Sequence, residues 1–154
     1  MLIFSVDRLD YTKGFLNRLA AFELFLERYK SMRGRVVFNM VIVPSRDTIA
    51  RYQEMKKEIE ATVGRINGKY GTLDWNPIAY QYKSLKFNEM IALYTLSDVG
   101  LLTPLRDGMN LVAKEYVAAQ HQKHGMLILS EMAGAAAEMS ESVLVNPTDI
   151  SQMA

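Results

Sequence analysis

Leu2-Ile3-Phe4-Ser5-Val6-Asp7-Arg8-Leu9-Asp10-Tyr11-Thr12-Lys13-Gly14-Phe15 decides the fold. An almost unbroken apolar run from Leu2 to Val6 gives way to a polar, glycine-terminated loop, and helical spacing then begins at Phe15. From Phe15 to Tyr29, Leu16, Leu19, Ala20, Phe22, Leu24 and Leu26 supply apolar faces. A strand that does not alternate polar with apolar is buried on both faces, so it needs helices above and below it. The same unit repeats outward. Strand character recurs at Val36 to Val43, Ile78 to Tyr82, Val99 to Thr103, Met126 to Ser130 and Val143 to Val145. Helical spacing lies between these runs at Thr48 to Val63, Phe87 to Ser97 and Asn110 to Gln122. Alternation of this kind predicts an α/β fold, a doubly wound parallel sheet in one unit over residues 1–154.

Composition bounds the function. The 154 residues carry 18 Lys and Arg against 17 Asp and Glu, which indicates neither a polyanion-binding surface nor disorder, so no nucleic-acid partner is expected. There is no cysteine, which removes disulfides and thiolate metal sites, and a cytoplasmic setting is expected. No stretch reaches the roughly 20 continuous apolar residues of a membrane span, so no membrane partner is expected. The first strand begins without a leader or first loop, and the chain is expected to be a fragment of a longer protein.

In doubly wound sheets ligands bind at the carboxyl ends of the strands. That rule selects Asp7 to Gly14, Pro44 to Asp47, Lys83 to Lys86 and Thr103 to Asn110. Arg8 and Lys13 stand where a helix begins, an arrangement suited to an anion; taken alone such residues are more often solvated surface charges or partners of Asp7 and Asp10, and their place at the carboxyl edge of the sheet is what favours the anion. In Arg106-Asp107-Gly108-Met109-Asn110-Leu111-Val112-Ala113-Lys114-Glu115, a capping Asn precedes an apolar helix whose free N–H groups can hold phosphate. Asp107 and Glu115, roughly 12 Å apart along such a helix, either take hydroxyls from the two ends of a long ligand or serve as cap and ion-pair partner. Arg46 either meets a second anion or pairs with Asp47.

Two other sequences are read structurally. Gly64-Arg65-Ile66-Asn67-Gly68-Lys69-Tyr70-Gly71 lacks the Ser or Thr of a phosphate loop, so its glycines are expected to form a positive-φ turn ending the preceding helix. His121 and His124 are expected to interact with a helix dipole rather than a metal. No metal cluster and no dinucleotide fingerprint occur, so no cofactor is expected.

Taken together, Asp7 to Gly14, Val43-Pro44-Ser45-Arg46, Gly64 to Gly71, Arg106 to Glu115 and Glu131-Met132-Ala133-Gly134-Ala135-Ala136 resemble the trehalose-6-phosphate synthases, in order and over essentially the whole chain. The resemblance implies the donor-binding, C-terminal half of a two-domain GT-B retaining glycosyltransferase, active in trehalose biosynthesis. Such an enzyme passes glucose from UDP-glucose to glucose 6-phosphate, and the isolated chain is expected to be inactive. It further implies that Arg8 and Lys13 hold the donor diphosphate and that Asp107 takes the glucose hydroxyls. Gly108, Met109 and Asn110 would lead into Leu111, Val112, Ala113 and Lys114, whose backbone meets phosphate. Glu115 would take the ribose hydroxyls, Leu85 would lie against the base, and Arg46 would meet the acceptor phosphate. Arg8, Lys13 and Asp107 form the catalytic set. Acceptor contacts would come mainly from an N-terminal domain, and exposed domain surface would favour self-association. A catalytically silent nucleotide-sugar-binding or regulatory module of the same fold is the alternative.

Overall fold

Strand β1 (Leu2–Arg8) sits in the interior of a six-stranded sheet ordered β3-β2-β1-β4-β5-β6. The others are β2 (Val37–Val43), β3 (Ile78–Tyr82), β4 (Val99–Leu102), β5 (Met126–Ser130) and β6 (Val143–Val145). All neighbours run parallel. The structure, a computed structural model, describes residues 1–45, 48–120 and 125–154. The chain winds outward from β1 to β3, returns to the other side of β1 and winds outward again, so the direction reverses between β1 and β4. That reversal opens a crevice at the strand carboxyl ends.

Helices cover both faces, as the apolar strands require. Phe15, Leu19, Phe22 and Leu26 of α1 (Phe15–Arg28) join Tyr52, Ile59, Val63 and Ile66 of α2 (Ala50–Tyr70) on Phe38, Met40 and Ile42 of β2. On the opposite face, Leu93 and Tyr94 of α3 (Phe87–Leu96) and Ala113 and Tyr116 of α4 (Leu111–Ala119) pack on Phe4, Val6 and Leu102. Each large side chain removed from water in this way contributes roughly 1.5–3 kcal/mol. A short α5 (Ile150–Met153) lies against α1. Exposed apolar side chains remain on α3 and α4, with Phe87 78% and Leu111 59% accessible. No helix among the described residues is long and apolar enough to cross a membrane.

The structure alters two of the expected boundaries in ways that bear on function. Strand β1 continues past Val6, because Asp7 and Arg8 keep register with Ile42 and Val43 of β2. Both residues are therefore held on the rigid sheet edge. Helix α2 does not end at Val63. It runs through Gly64 and Gly68 to Tyr70, so the expected positive-φ turn is absent, and neither glycine has positive φ. Ile66 extends the buried stripe of Ile59 and Val63, and the Asn67 amide exchanges two 3.0 Å hydrogen bonds with the backbone of Ile78. Arg65 and Lys69 reach across to Glu23 of α1 at 2.6 and 3.0 Å. Tertiary contacts thus outweigh the modest helical penalty of two glycines. His121 and His124 lie outside the described residues, as does Arg46.

The α1–α2 clamp is pH-sensitive. Arg65, then Lys69, hold the Glu23 carboxyl down at about 2 from an ordinary 4.5, against the opposing effect of its burial. A carboxylate with a depressed folded value stabilises the protein above its unfolded value and loses that contribution as pH falls through the folded one. Thermal stability is therefore expected to fall as pH drops from about 4.5 towards 2. Glu23→Gln should be less stable at neutral pH and should show a shallower decline across that interval in melts followed at several pH values; an identical slope would remove Glu23 from the clamp.

Candidate functional site

Asp10 organises the turn that leaves β1. Its carboxylate accepts hydrogen bonds from Thr12 N at 2.9 Å and Thr12 Oγ1 at 2.8 Å, opening a single 3-10 turn over Tyr11–Lys13. Gly14 then adopts φ 67° to start α1, and a Cβ at that position would stand 2.9 Å from the Thr103 carbonyl oxygen. Glycine is suited to both demands. The turn brings Lys13 back over the strand ends, where its Nζ lies 2.6 Å from Asp107 Oδ2 and 3.5 Å from Asp7 Oδ1. Among the described residues Lys13 thus pairs most closely with Asp107 and more distantly with Asp7, one of the two carboxylates expected beside Arg8 and Lys13.

Asp107 belongs to the loop joining β4 to α4, which is held from two sides. Leu105 N and Arg106 N donate to Thr12 O at 2.7 and 3.2 Å. From the segment after β5, Met132 O accepts from Asp107 N at 3.3 Å, while Gly134 N and Ala135 N donate to Asp107 O and Met109 O at 3.1 and 2.8 Å. Gly134 approaches so closely that a Cβ there would run into the Gly108 carbonyl oxygen. Asn110 takes φ 74° and caps α4, its Oδ1 accepting from Ala113 N at 3.0 Å and its Nδ2 donating to Asp107 Oδ2 at 3.2 Å. The cap is therefore Asn110, and Asp107 is left to Lys13 and Asn110. The other first-turn N–H groups of α4 have no carbonyl of their own helix to bond.

Below these groups is a residue the sequence reading did not single out. Arg18 of α1 is fully buried, with Nη2 2.7 Å from Asp7 Oδ2. It donates to Lys13 O at 2.6 Å and to Thr103 Oγ1 at 3.2 Å. The available sign was its place between Phe15, Leu19 and Phe22 on the apolar face of α1. Asp7, Asp107, Lys13 and Arg18 together form two acid–base pairs with no formal net charge. Among the described residues no group of three or more His, Cys, Asp or Glu side chains is placed to hold a metal.

An open cavity of about 460 Å³ lies above the quartet and is lined by Asp7, Arg8, Lys13, Asp107, Asn110 and the first residues of α4. Arg8 is exposed at the end of β1 and has no ion-pair partner among the described residues. Met109 is half exposed on the cavity wall with Leu111 and Val112. Leu85, in the loop after β3, packs on the core cluster beneath α3 and α4. The Lys114 side chain is engaged elsewhere, with Glu138 at 2.8 Å, and Lys114 is not among the residues lining the cavity. Among the described residues Glu115 has no Lys partner; it accepts from the Tyr94 hydroxyl at 2.8 Å. Burial first, and then this carboxylate, raise the Tyr94 pKa and keep the hydroxyl a donor.

The close approach of Gly134 makes the loop testable. Gly134→Ala is expected to push the Gly108 carbonyl aside and to cost roughly 1–3 kcal/mol, the usual range for overpacking, read as a lower melting temperature. An unchanged melt would mean that the loop over residues 107–110 is not held by this contact.

Comparison with known proteins fits this geometry. The sequence model of glycosyltransferase family 20 matches residues 1–154. A bifunctional trehalose-6-phosphate synthase/phosphatase of Thermoproteus tenax is 54% identical over 149 residues, covering 97% of this chain and 20% of the relative. A UDP-forming alpha,alpha-trehalose-phosphate synthase of Schizosaccharomyces pombe is 48% identical over 153 residues, covering 99% of the chain and 30% of the relative. A Burkholderia xenovorans synthase solved with glucose-6-phosphate superposes with TM-score 0.96 at 48% identity, covering 99% of this chain and 34% of that one. An Escherichia coli structure bound with UDP-2-fluoro glucose superposes with TM-score 0.97 at 45% identity, with the same coverage. The chain spans about a fifth to a third of the length of these relatives. With a sheet of the same winding, a family match from end to end and relatives of this identity, the chain belongs to glycosyltransferase family 20.

Proposed function

We propose that this chain is the donor-binding domain of a retaining glucosyltransferase, the C-terminal half of a GT-B enzyme, which transfers glucose from UDP-glucose to glucose 6-phosphate to give trehalose 6-phosphate. The observation that carries this reading is the convergence, in one crevice at the strand switch point, of Arg8, Lys13 and the N-terminus of α4. A forked guanidinium, a point charge and free backbone N–H groups are together the equipment for a diphosphate. Relatives described as UDP-forming, and a close structural neighbour bound with UDP-2-fluoro glucose, support uracil as the base.

In this reading Arg8 and Lys13 hold the two phosphates, aided by the backbone from Leu111 to Lys114. Asp107 takes glucose hydroxyls, with Gly108, Met109 and Asn110 shaping the turn beneath the sugar. Glu115, steadied by Tyr94, takes the ribose hydroxyls, and Leu85 borders the base. Arg46 is assigned to the acceptor phosphate. The relatives' greater length leaves room for a second domain that would supply most of the acceptor contacts. Both substrates are charged and do not pass membranes unaided, which fits a cytoplasmic enzyme.

The chemistry asks for leaving-group stabilisation. As the bond from glucose C1 to the β-phosphate oxygen breaks, negative charge grows on the departing diphosphate, and preorganised donors already in place stabilise it without reorganising. The acceptor hydroxyl attacks from the face the leaving group vacates and passes its proton to the departing diphosphate oxygen, so the configuration is retained without a protein nucleophile. Loss of one such donor typically costs about 3 kcal/mol of barrier.

Calorimetric titration of the chain with UDP, GDP, ADP and their glucose conjugates tests the proposal. UDP and UDP-glucose should bind, and Lys13→Ala should weaken both by roughly 10- to 100-fold, the worth of a hydrogen bond to a charged group. No binding of any nucleotide, or Lys13→Ala binding as tightly as the parent, would reject it.

A further inference from the structure

We infer that Arg18 is a positioning residue for the diphosphate site, one that keeps the Lys13 ammonium available by taking up the charge of Asp7; the inference rests on the function proposed above. Arg18 is fully buried, and its Nη1 has no hydrogen-bond partner among the described residues. It also stands in the first turn of α1, where the helix dipole opposes a positive charge. A buried cation with an unmet donor in an unfavourable field is a poor choice for stability alone. What it touches gives it another use. Its three polar contacts reach the end of β1 through Asp7, the 3-10 turn through the Lys13 carbonyl and the end of β4 through Thr103. Those are the segments whose relative placement defines the site.

The charges explain the direction of the effect. Asp7 is buried and lies between two cations, Arg18 at 2.7 Å and Lys13 at 3.5 Å. With Arg18 this close, Lys13 approaches Asp7 only loosely and leans on Asp107, which lies in the cavity wall. Without the guanidinium, the Asp7 carboxylate would keep Lys13 as its one ion-pair partner among the described residues and would draw the ammonium down, away from a bound diphosphate. The Lys13 carbonyl would lose its 2.6 Å donor at the same time, loosening the turn.

The test uses the full chain, with uridine and UDP titrated separately so that base and ribose contacts are read apart from phosphate contacts. Arg18→Met should weaken UDP by about 10- to 100-fold, the range for a lost interaction with a charged group, and leave uridine within about threefold. Adding Asp7→Asn should recover most of the UDP affinity, because the carboxylate that captures Lys13 is gone. Folding is followed through Trp75, the only tryptophan, whose indole donates to Val36 O at 2.8 Å at the opposite end of the sheet. If Arg18→Met does not fold, Arg18→Gln, which removes the charge and keeps a long polar side chain, should weaken UDP selectively. The inference is overturned by parental UDP affinity in the folded Arg18 variants, by equal losses for uridine and UDP, or by no recovery with Asp7→Asn. A parent chain that binds no UDP overturns the proposed function as well, whereas a binding parent with indifferent variants overturns only the role of Arg18.

Discussion

The 2.6 Å pair between the Lys13 ammonium and the Asp107 carboxylate is the constraint on which the site depends. It joins the turn after β1 to the loop before α4, two segments that meet only because the winding direction reverses between β1 and β4. Its side chains are 15% and 17% accessible, so water screens the pair only in part. The pair also states what a ligand must bring. To use Lys13 it must offer anionic oxygens, and to release Asp107 it must offer hydroxyl donors in exchange. A sugar joined to a diphosphate carries both. Beneath the pair, Asp7 and Arg18 repeat the same acid–base pattern in the interior, so the charges that face the cavity rest on a neutralised floor.

The far wall of the site rests on packing instead of charge. Phe4 of β1 meets Tyr94 and Tyr116 at ring-centroid distances of 5.4 and 4.9 Å, tying α3 and α4 to the central strand. Aromatic pairs of this tilted kind add roughly 0.5–1.5 kcal/mol beyond the area they bury. Tyr94 serves twice, as a buried ring and through its hydroxyl to Glu115. The start of α4 is fixed by Asn110 in a left-handed conformation. Its N–H groups are therefore aimed before any ligand arrives, which is the condition for preorganised electrostatics.

Much of this was legible in the sequence because it is local. Unbroken apolar runs placed all six strands, and helix spacing with a capping Asn placed the start of α4 at the observed position. Arg8, Lys13 and Asp107, read from motif and strand-end position, do converge on one cavity. What escaped the sequence is non-local. Gly64 and Gly68 look like punctuation, yet Glu23 on another helix and Ile78 on another strand carry α2 through them. Arg18 falls on the apolar face of α1, but its partners become evident only once Asp7 and Thr103, from two different strand ends, are seen to close around it. For the same reason spacing alone left open whether Asp107 or Asn110 capped the helix, until Lys13, 94 positions away from Asp107, was found to hold that carboxylate.

The most direct measurement is a crystal structure of the chain with UDP-glucose. Arg8 and Lys13 should lie within hydrogen-bonding distance of the phosphate oxygens, the 2.6 Å contact between Lys13 and Asp107 should be opened, and the Asp107 carboxylate should accept from glucose hydroxyls. A nucleotide seated elsewhere, or one whose phosphates leave the Lys13–Asp107 pair closed and untouched, would contradict the assignment of this crevice as the donor site.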